Sequence, residues 1–325
     1  MDPLHEIADA VLYEGYVLWP YRRSALKNAR RFTFGGVYPP AHSAAHPDDP
    51  STMQTQVLVE GGPGARLEVR VRFLQVVQRQ LYRGGERVEA LTARGERHLE
   101  WEEAREREVA AEGLPVSELG APVVLPIVVS AGRDEESLGE GAVARRTWQG
   151  LAGAVTIATE ALGDGVHRVT VRIDNRTPFP GGTREAALER TFCSTHTILR
   201  ARDAAFVSAT DPPPALREAA RGCRNEGAWP VLVGEPGDRH TMLSSPIILE
   251  EYPRVAPESP GDLFDGGEID QLLTLNILSL TDEEKAEMRA SDPRAREILD
   301  RTEALSEEEL MRLHGAIRDF RQVRS

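Results

Sequence analysis

The arrangement in this chain closest to a metal-binding signature is the Cys-x-x-His pair formed by Cys193 and His196, with Cys223 and His240 as distant ligand types. Thiolate and imidazole groups hold zinc and related metals when they converge. The segment 192–199 is predicted to be a strand, and residues three apart on a regular strand point to opposite faces. We therefore predict structural roles for both cysteines and His196, and no bound metal.

The sequence motifs of the common enzyme classes are absent. The chain has no GxxxxGK[ST] phosphate loop, no HExxH, no GxSxG, no paired CxxC and no GxGxxG between a strand and a helix. Its 52 acidic residues offer many carboxylate pairs, but no spacing selects one for glycoside hydrolysis. The sequence therefore predicts no catalytic residue and no cofactor. It leaves open whether the chain is an enzyme and favours a non-catalytic role.

Charge and composition exclude several classes of partner. The net charge of -13 opposes nucleic-acid binding, because neutralising phosphates needs a dense Lys/Arg surface. No stretch approaches the roughly 20 apolar residues of a membrane helix, so we expect no membrane insertion. The start of the chain is acidic, unlike a secretory signal, and the two cysteines are too few for a disulfide framework. We therefore expect a cytoplasmic protein.

Two stretches are denser in aromatic, charged and amide side chains than a scaffold requires. The first is an aromatic-basic N-terminal segment, whose candidate partner-binding residues are Tyr13, Glu14, Tyr16, Trp19, Tyr21, Arg22, Lys27, Asn28 and Arg31. The second contributes Arg224, Asn225 and Trp229. Two alternatives stay open for the first stretch, since its cations suit either an external acidic partner or the acidic surface of the same chain. The alternative for the second is a turn at Asn225 with Trp229 in the core.

Apolar periodicity predicts a strand-rich body. Alternation from Arg66 to Val77 is typical of an antiparallel strand buried on one side, and it returns between Val169 and Ile173. The apolar run 123–129 predicts either a strand buried on both faces or an edge strand broken at Pro126. The Glu- and Arg-rich stretch 101–109 is interpreted as an exposed helix, and the proline-rich stretch 39–50 as a surface loop or linker.

The C-terminal segment carries helix signals. Thr281 with Glu284 and Ser306 with Glu309 form capping boxes, and a later apolar stripe must be covered by the body, the other helices or a partner. The stripe consists of Leu310, Leu313, Ile317 and Phe320. We predict the α+β class, with a sandwich-like, mainly antiparallel β-rich body. The predicted divisions are 1–50 for the N-terminal segment and linker, 51–261 for the body and 262–325 for the helical segment.

Several long motifs resemble an uncharacterised bacterial family encoded beside [NiFe] hydrogenases and their maturation genes. They are YEGYVLWPYRRSALKN, RFTFGGVYP, STHTILRA, CRNEGAWPVLVG and SSPIILEEYPRVAPESPGDLFDGGEIDQLLTLNILSLTDEEK. The resemblance covers most of the chain, although residues 83–146 contribute nothing to it. It implies a role in assembling or partnering a hydrogenase, with hydrogenase subunits or maturation proteins as partners, and it carries over no catalytic residue.

Three hypotheses follow from these observations. The favoured one is a non-catalytic accessory protein that presents the N-terminal segment and the helical tail to a larger enzyme, with self-association of the chain also open. The second is an enzyme or ligand-binding β-sandwich with a site between segments 13–28 and 223–229. The third is a metal-carrying maturation factor, which requires Cys193, His196, Cys223 and His240 to converge.

Overall fold

The computed structural model describes residues 7–9, 11–12, 34–253, 280–282, 285–286, 289, 296, 299–300 and 302–304. Strands dominate the described part, every strand pairing in it is antiparallel, and helices are short, which confirms a β-rich α+β protein. The strands are β1 Thr52–Arg83, β2 Glu86–Val88, β3 Ala90–Ala93, β4 Glu96–Leu99, β5 Trp101–Pro115, β6 Val123–Val129, β7 Gly132–Gly139, β8 Ala142–Trp148, β9 Leu151–Gly163, β10 Val166–Asn175, β11 Cys193–Phe206, β12 Trp229–Leu232 and β13 Thr241–Ser245. The helices are Pro40–Ser43, Arg184–Leu188 and Arg217–Arg221, with 3-10 turns at Val116–Glu118 and Pro214–Leu216.

The long strand β1 organises the sheet. The sheet runs in the order β12-β13-β11-β1-β10-β9-β6, and β2, β5 and β8 also pair with β1. Its predicted alternation is confirmed, since Val69, Val71 and Phe73 are fully buried in the main core while Arg70 and Arg72 lie on the other face. The period-2 pattern of a strand produces this separation of apolar and charged side chains.

A glycine corner lies inside β1. The register with β11 shifts between Gly61 and Arg66, where β5 replaces β10 as the neighbour on the other edge of β1. A Cβ at Gly61 would stand 2.7 Å from Ala65 and 2.8 Å from Ala204, so a larger residue does not fit. This irregularity therefore lets β1 pair with β10 in one half of the sheet and with β5 in the other.

The main core lies on the face of β1 that carries its odd-numbered residues from Val69 to Phe73. The rings of Phe73 and Phe192 are in contact, with their centroids 4.7 Å apart. Other fully enclosed members of this core include Leu67, Ile127, Leu151, Val155, Ile157, Val169, Val171, Ile173, Leu199 and Phe206. Because strands from both halves of the sheet contribute, the halves cannot separate without exposing this core.

The first described residues belong to the packing of the body. Residues 7–9 and 11–12 are helical and are called the N-terminal helix. It covers the other face of the sheet, where Ile7, Ala8 and Val11 join an apolar cluster with Ile198, Val231, Val233, Leu243 and Leu249. Leu12 continues into a neighbouring cluster with Leu74 and Cys193. The strand β11 is therefore buried on both faces from its start.

The helix predicted at 101–109 is wrong, because this stretch is the start of β5. It pairs with β1 from Arg79↔Trp101 to Val71↔Val109. Glu and Arg favour helices locally, but pairing along a long strand overrides that preference. Interstrand ion pairs such as Arg70 with Glu108, at 2.8 Å, use these charges across the ladder.

Two other segments refine the sequence expectations. The strand β6 lies at the edge of the sheet, as one alternative predicted, yet it pairs with β9 continuously from Val123 to Val129 and Pro126 does not break it. Val124 and Val128 on it are exposed. The predicted loop 39–50 contains the helix Pro40–Ser43, and His42 in it is buried.

The described part of the C-terminal segment is helical at residues 282, 285–286, 289, 296, 299–300 and 302–303. Leu299 is fully buried, and Arg296 lies 3.9 Å from Glu96 on β4. This part of the tail therefore contacts the body of the same chain. The stripe Leu310, Leu313, Ile317 and Phe320 lies outside the described residues.

Replacing Phe73 by Ala tests the position of the core. We expect a loss of about 3–5 kcal/mol in the free energy of unfolding, because the ring is enclosed and leaves a cavity. Val124→Ala is the control on the exposed side of β6 and should change stability by no more than about 0.5 kcal/mol. Urea denaturation gives both values, and equal losses for the two variants would contradict the assignment of the core.

Candidate functional site

Four strands place side chains in one row on the sheet face that the N-terminal helix covers. Arg72 on β1 is paired directly with His196 on β11, and Trp229 on β12 is paired with Ser245 on β13. The pairing Thr197↔Ser244 sets Ser245 beside His196. Trp229 shares the face of Val231, two residues on, which packs in the cluster with the N-terminal helix. We call Arg72, His196, Ser245 and Trp229 the polar row.

A β-bulge at the start of β11 puts Cys193 and His196 on the same face. Arg72 pairs with His196 and Leu74 pairs with Cys193, so the strand has one extra residue between these pairs. The extra residue is accommodated at Ser194, whose φ is 49° and whose amide donates to the carbonyl of Phe34. Residues three apart on a regular strand point oppositely, but a bulge restores the common face. The sequence-based argument for opposite faces is therefore wrong.

His196 is a fully buried, neutral imidazole. Its Nδ1 donates to the carbonyl of Ser194 at 3.1 Å, which leaves Nε2 as a lone-pair acceptor. Nε2 has no hydrogen-bond partner among the described residues. Burial lowers the pKa of His196 to about 4, and the positive charge of Arg72 adds to the shift, while the hydrogen bond to Ser194 opposes it.

Arg72 ties the row to the N-terminal helix. Its Nη2 donates to Asp9 Oδ1 at 2.7 Å and to Glu106 Oε2 at 3.3 Å. Its Nη1 is buried and has no hydrogen-bond partner within the described part of the chain. Beside the row, burial raises the pKa of the Cys193 thiol well above its ordinary value, so this cysteine is an uncharged thiol and an inert core group.

Cys193, His196, Cys223 and His240 do not form one metal site. The carbonyl of His240 accepts from Ala201 N, about eight residue steps or roughly 26 Å from Cys193 along β11. Cys223 lies beside the first part of β1, where Arg224 N donates to Gln56 Oε1. No group of three or more His, Cys, Asp or Glu with metal-site geometry occurs among the described residues.

The candidate residues Arg224 and Asn225 lie in a loop docked on the start of β1. Asn225 Oδ1 accepts from Gln56 N at 2.7 Å, and the carbonyl of Arg224 accepts from Gln54 Nε2 at 3.1 Å. The side chain of Asn225 is therefore used in fixing this loop against β1. Trp229 departs from the alternative interpretation of this stretch, because it is exposed instead of buried in the core.

Exposed apolar side chains gather at the sheet end where β13 stops and β12 starts. Phe34 is 40%, Trp229 44% and Ile248 74% exposed. Trp229 is paired with Ser245, Ile248 follows three residues later, and Gly35 lies against Pro246. We call Phe34, Trp229 and Ile248 the sheet-end patch.

The N-terminal candidates Tyr13, Glu14, Tyr16, Trp19, Tyr21, Arg22, Lys27, Asn28 and Arg31 lie outside the described residues. The structure describes the residues on either side of this segment, Leu12 and Phe34. Leu12 packs with Cys193, and the carbonyl of Phe34 accepts from Ser194 N at 3.1 Å. The described residues on either side, Leu12 and Phe34, therefore both contact the start of β11, next to the polar row and the sheet-end patch.

Sequence reasoning missed a second polar cluster, around Asp49. Asp49 Oδ2 accepts from His42 Nε2 at 2.9 Å and lies 3.6 Å from Arg184 Nε. Arg184 also donates to the hydroxyl of Tyr38, and the rings of Tyr38 and His42 stack with centroids 5.1 Å apart. Burial raises the pKa of Tyr38 above its ordinary value. The signal in the sequence was a His and an Asp seven residues apart in a stretch assigned to a linker.

This cluster has a structural role, because its hydrogen bonds hold a loop against the body. Tyr38 and His42 are both almost completely enclosed, so a substrate has no direct approach to the phenol or the imidazole. Satisfied polar networks of this kind fix a loop against the body. The cluster holds the segment 38–49 against the helix Arg184–Leu188.

Comparison of the chain with protein-family models and with curated proteins gives no match. In the part of the chain that the structure describes, no helix has the length and apolar character needed to cross a membrane.

The buried imidazole predicts a specific acid sensitivity. Because the pKa of His196 is about 4 when folded and about 6.5 when unfolded, its neutral form stabilises the fold fully above pH 6.5. Roughly 3 kcal/mol of this contribution should be lost as the pH falls from 6.5 to 4. Urea denaturation of His196→Gln should show a flatter pH dependence over this window than the unaltered chain. His240→Gln, at an exposed site, is the control, and parallel curves for all three proteins would contradict the assignment.

Removing the carboxylate of Asp49 should destabilise the fold by about 1–3 kcal/mol, because it leaves the buried His42 nitrogen without its partner. Thermal unfolding of Asp49→Ala measures the loss. Asp48→Ala changes the exposed neighbour and should leave the transition nearly unmoved. A similarly small shift of the unfolding temperature in both variants would mean that the cluster does not hold the segment 38–49 against the body.

Proposed function

We propose that this chain is a non-catalytic accessory protein that binds a larger protein through the sheet-end patch and the N-terminal segment. The supporting observation is the patch itself, which exposes Phe34, Trp229 and Ile248 at the sheet end that Phe34, the residue next to the N-terminal segment in sequence, contacts at Ser194. Scattered single apolar residues are common on protein surfaces, whereas an exposed cluster marks an interaction site.

The residue types at this end suit a protein partner. Trp and Tyr bury large areas while keeping a polar tip, and Trp, Tyr and Arg dominate the energy of interfaces. Trp229 supplies one such anchor on a rigid strand, and residues 13–31 hold further aromatic and basic side chains in the sequence. The cations there favour a partner with an acidic face, because charge complementarity speeds the encounter and sets the register.

The resemblance given by the sequence motifs supports hydrogenase subunits or maturation proteins as that partner. Three of those motifs converge in the fold. STHTILRA begins within the bulge of β11, CRNEGAWPVLVG includes the loop at Asn225 and the strand β12, and SSPIILEEYP starts at the end of β13. The stripe Leu310, Leu313, Ile317 and Phe320 is a second proposed contact, with a partner or another copy of the chain.

A ligand-binding role is the second candidate, and the polar row favours it. The row joins the buried His196 to the exposed Trp229 across Ser245, on the face beneath the N-terminal helix. A small molecule that reached this row from the sheet end would meet an indole ring first and an imidazole nitrogen deeper in. Such a site would lie between the 13–28 and 223–229 segments.

Capture of purified hydrogenase subunits and maturation proteins by the immobilised full chain tests the accessory role. Trp229→Ala should weaken the complex about 10-fold or more, because a central Trp contributes about 2 kcal/mol or more to binding. Leu162→Ala is the matched control, since Leu162 is 36% exposed on β9 and outside the patch. Equal affinity of the Trp229 and Leu162 variants would exclude the patch as the interface.

A charge-reversed chain separates the contribution of the N-terminal segment. Arg22→Glu, Lys27→Glu and Arg31→Glu together should slow association and weaken its salt dependence while the body keeps its unfolding transition. If the triple variant unfolds instead, these cations belong to internal ion pairs. Lack of binding to every hydrogenase component, with the folded chain intact, would reject the hydrogenase proposal.

A further inference from the structure

Two unsatisfied polar atoms belong to side chains of neighbouring strands on the sheet face that the N-terminal helix covers. Arg72 Nη1 and His196 Nε2 are both buried and both lack a hydrogen-bond partner among the described residues. Their residues are directly opposite on β1 and β11, and opposite residues of an antiparallel pair project to one face with Cβ atoms about 4.5–5.5 Å apart. Buried polar atoms left without a partner are destabilising, so a native fold rarely leaves two together.

The two atoms have complementary chemistry. Arg72 Nη1 can only donate a hydrogen bond, and His196 Nε2 can only accept one, because Nδ1 carries the proton that it donates to Ser194. An anion would satisfy the guanidinium but be repelled by the imidazole lone pair. A cation would satisfy the imidazole but be repelled by Arg72. A neutral molecule that accepts one hydrogen bond and donates another satisfies both.

Enclosure sets the size of that molecule. His196 is fully buried and Arg72 nearly so, with the apolar residues of the N-terminal helix and of the neighbouring strands above the row. Water is the smallest neutral molecule that both accepts and donates a hydrogen bond, and a single buried water commonly bonds to otherwise unsatisfied groups of this kind.

We infer that Arg72 and His196 bind one water molecule between the sheet and the N-terminal helix. The water accepts from Arg72 Nη1 and donates to His196 Nε2. The lowered pKa of His196 agrees with this arrangement, since only the neutral ring offers the acceptor.

The bound water gives the second terminal nitrogen of Arg72, Nη1, a fixed contact. Nη2 of the same guanidinium already holds Asp9 of the N-terminal helix, so the planar group is oriented from both ends. The water therefore helps to position the helix whose next residues begin the aromatic-basic segment. This inference concerns the interior of the fold and does not depend on the proposed partner.

A crystal structure of the full chain that resolves ordered waters tests the site. We expect one density peak about 2.8–3.0 Å from both Arg72 Nη1 and His196 Nε2, without anomalous signal from a transition metal. His196→Phe should abolish the peak. His240→Phe should retain it, because His240 makes the same kind of bond from Nδ1 to a carbonyl, that of Ala204, but lies at the surface.

Three results would overturn the inference. They are a metal ion at the position, a direct hydrogen bond between Arg72 and His196, and a peak that persists in His196→Phe. If that variant does not fold, nitrogen NMR of the unaltered chain labelled at histidine decides the question. A Nε2 resonance typical of an acceptor without a hydrogen bond would contradict the bound water. In a chain labelled also at arginine, a through-hydrogen-bond coupling between Nε2 and the Arg72 guanidinium would contradict it too, whereas a shifted Nε2 resonance without that coupling would support it.

Discussion

The structure depends on the register of one strand. β1 spans 32 residues and pairs with β2, β5, β8, β10 and β11, so both halves of the sheet are aligned against it. Its odd-numbered residues from Val69 to Phe73 enter the main core, while Arg70 and Arg72 lie on the opposite face. A slip of one residue would exchange these two sets and bury the guanidinium groups in the core. The register is therefore strongly specified, and the remaining strands inherit it.

The bulge at Ser194 is where this register is adjusted for the candidate site. It lets β11 follow β1 while bringing Cys193 and His196 to the face that the N-terminal helix covers. The amides of Ser194 and Thr195 pair instead with the carbonyls of Phe34 and Gly35. One irregularity thus connects the sheet with the chain on both sides of the aromatic-basic segment. Bulges commonly redirect side chains next to functional sites in this way.

The two polar clusters differ in whether their buried polar atoms have hydrogen-bond partners among the described residues. Around Asp49 the described contacts satisfy the polar groups, and the cluster holds the segment 38–49 against the body. In the polar row, two buried atoms lack partners among the described residues, and the row reaches the surface at Trp229. The inferred water accounts for the buried end of the row, whereas the exposed ring of Trp229 at its other end is available to a partner. The function proposed for this chain therefore rests on the sheet end and its surface.

Local periodicity predicted much of the fold. The alternation in β1 and β10 and the apolar run of β6 were sufficient to place three strands, because side-chain period is a local property of the backbone. It was also sufficient for the β-rich α+β class. The stretch 101–109 was misassigned, because its Glu and Arg residues favour a helix unless a partner strand binds them.

The site was decided by tertiary structure. The sequence singled out Cys193, His196 and Trp229 by type, but the strand pairing set which of them share a face and which reach solvent. His42 and Asp49 became partners only because the short helix Pro40–Ser43 turns one toward the other. The sequence by itself determined the strands that have clear apolar periodicity and the residue types that are available. Bulges, strand neighbours and burial arise from contacts between residues distant in the chain, and only the folded structure determines those.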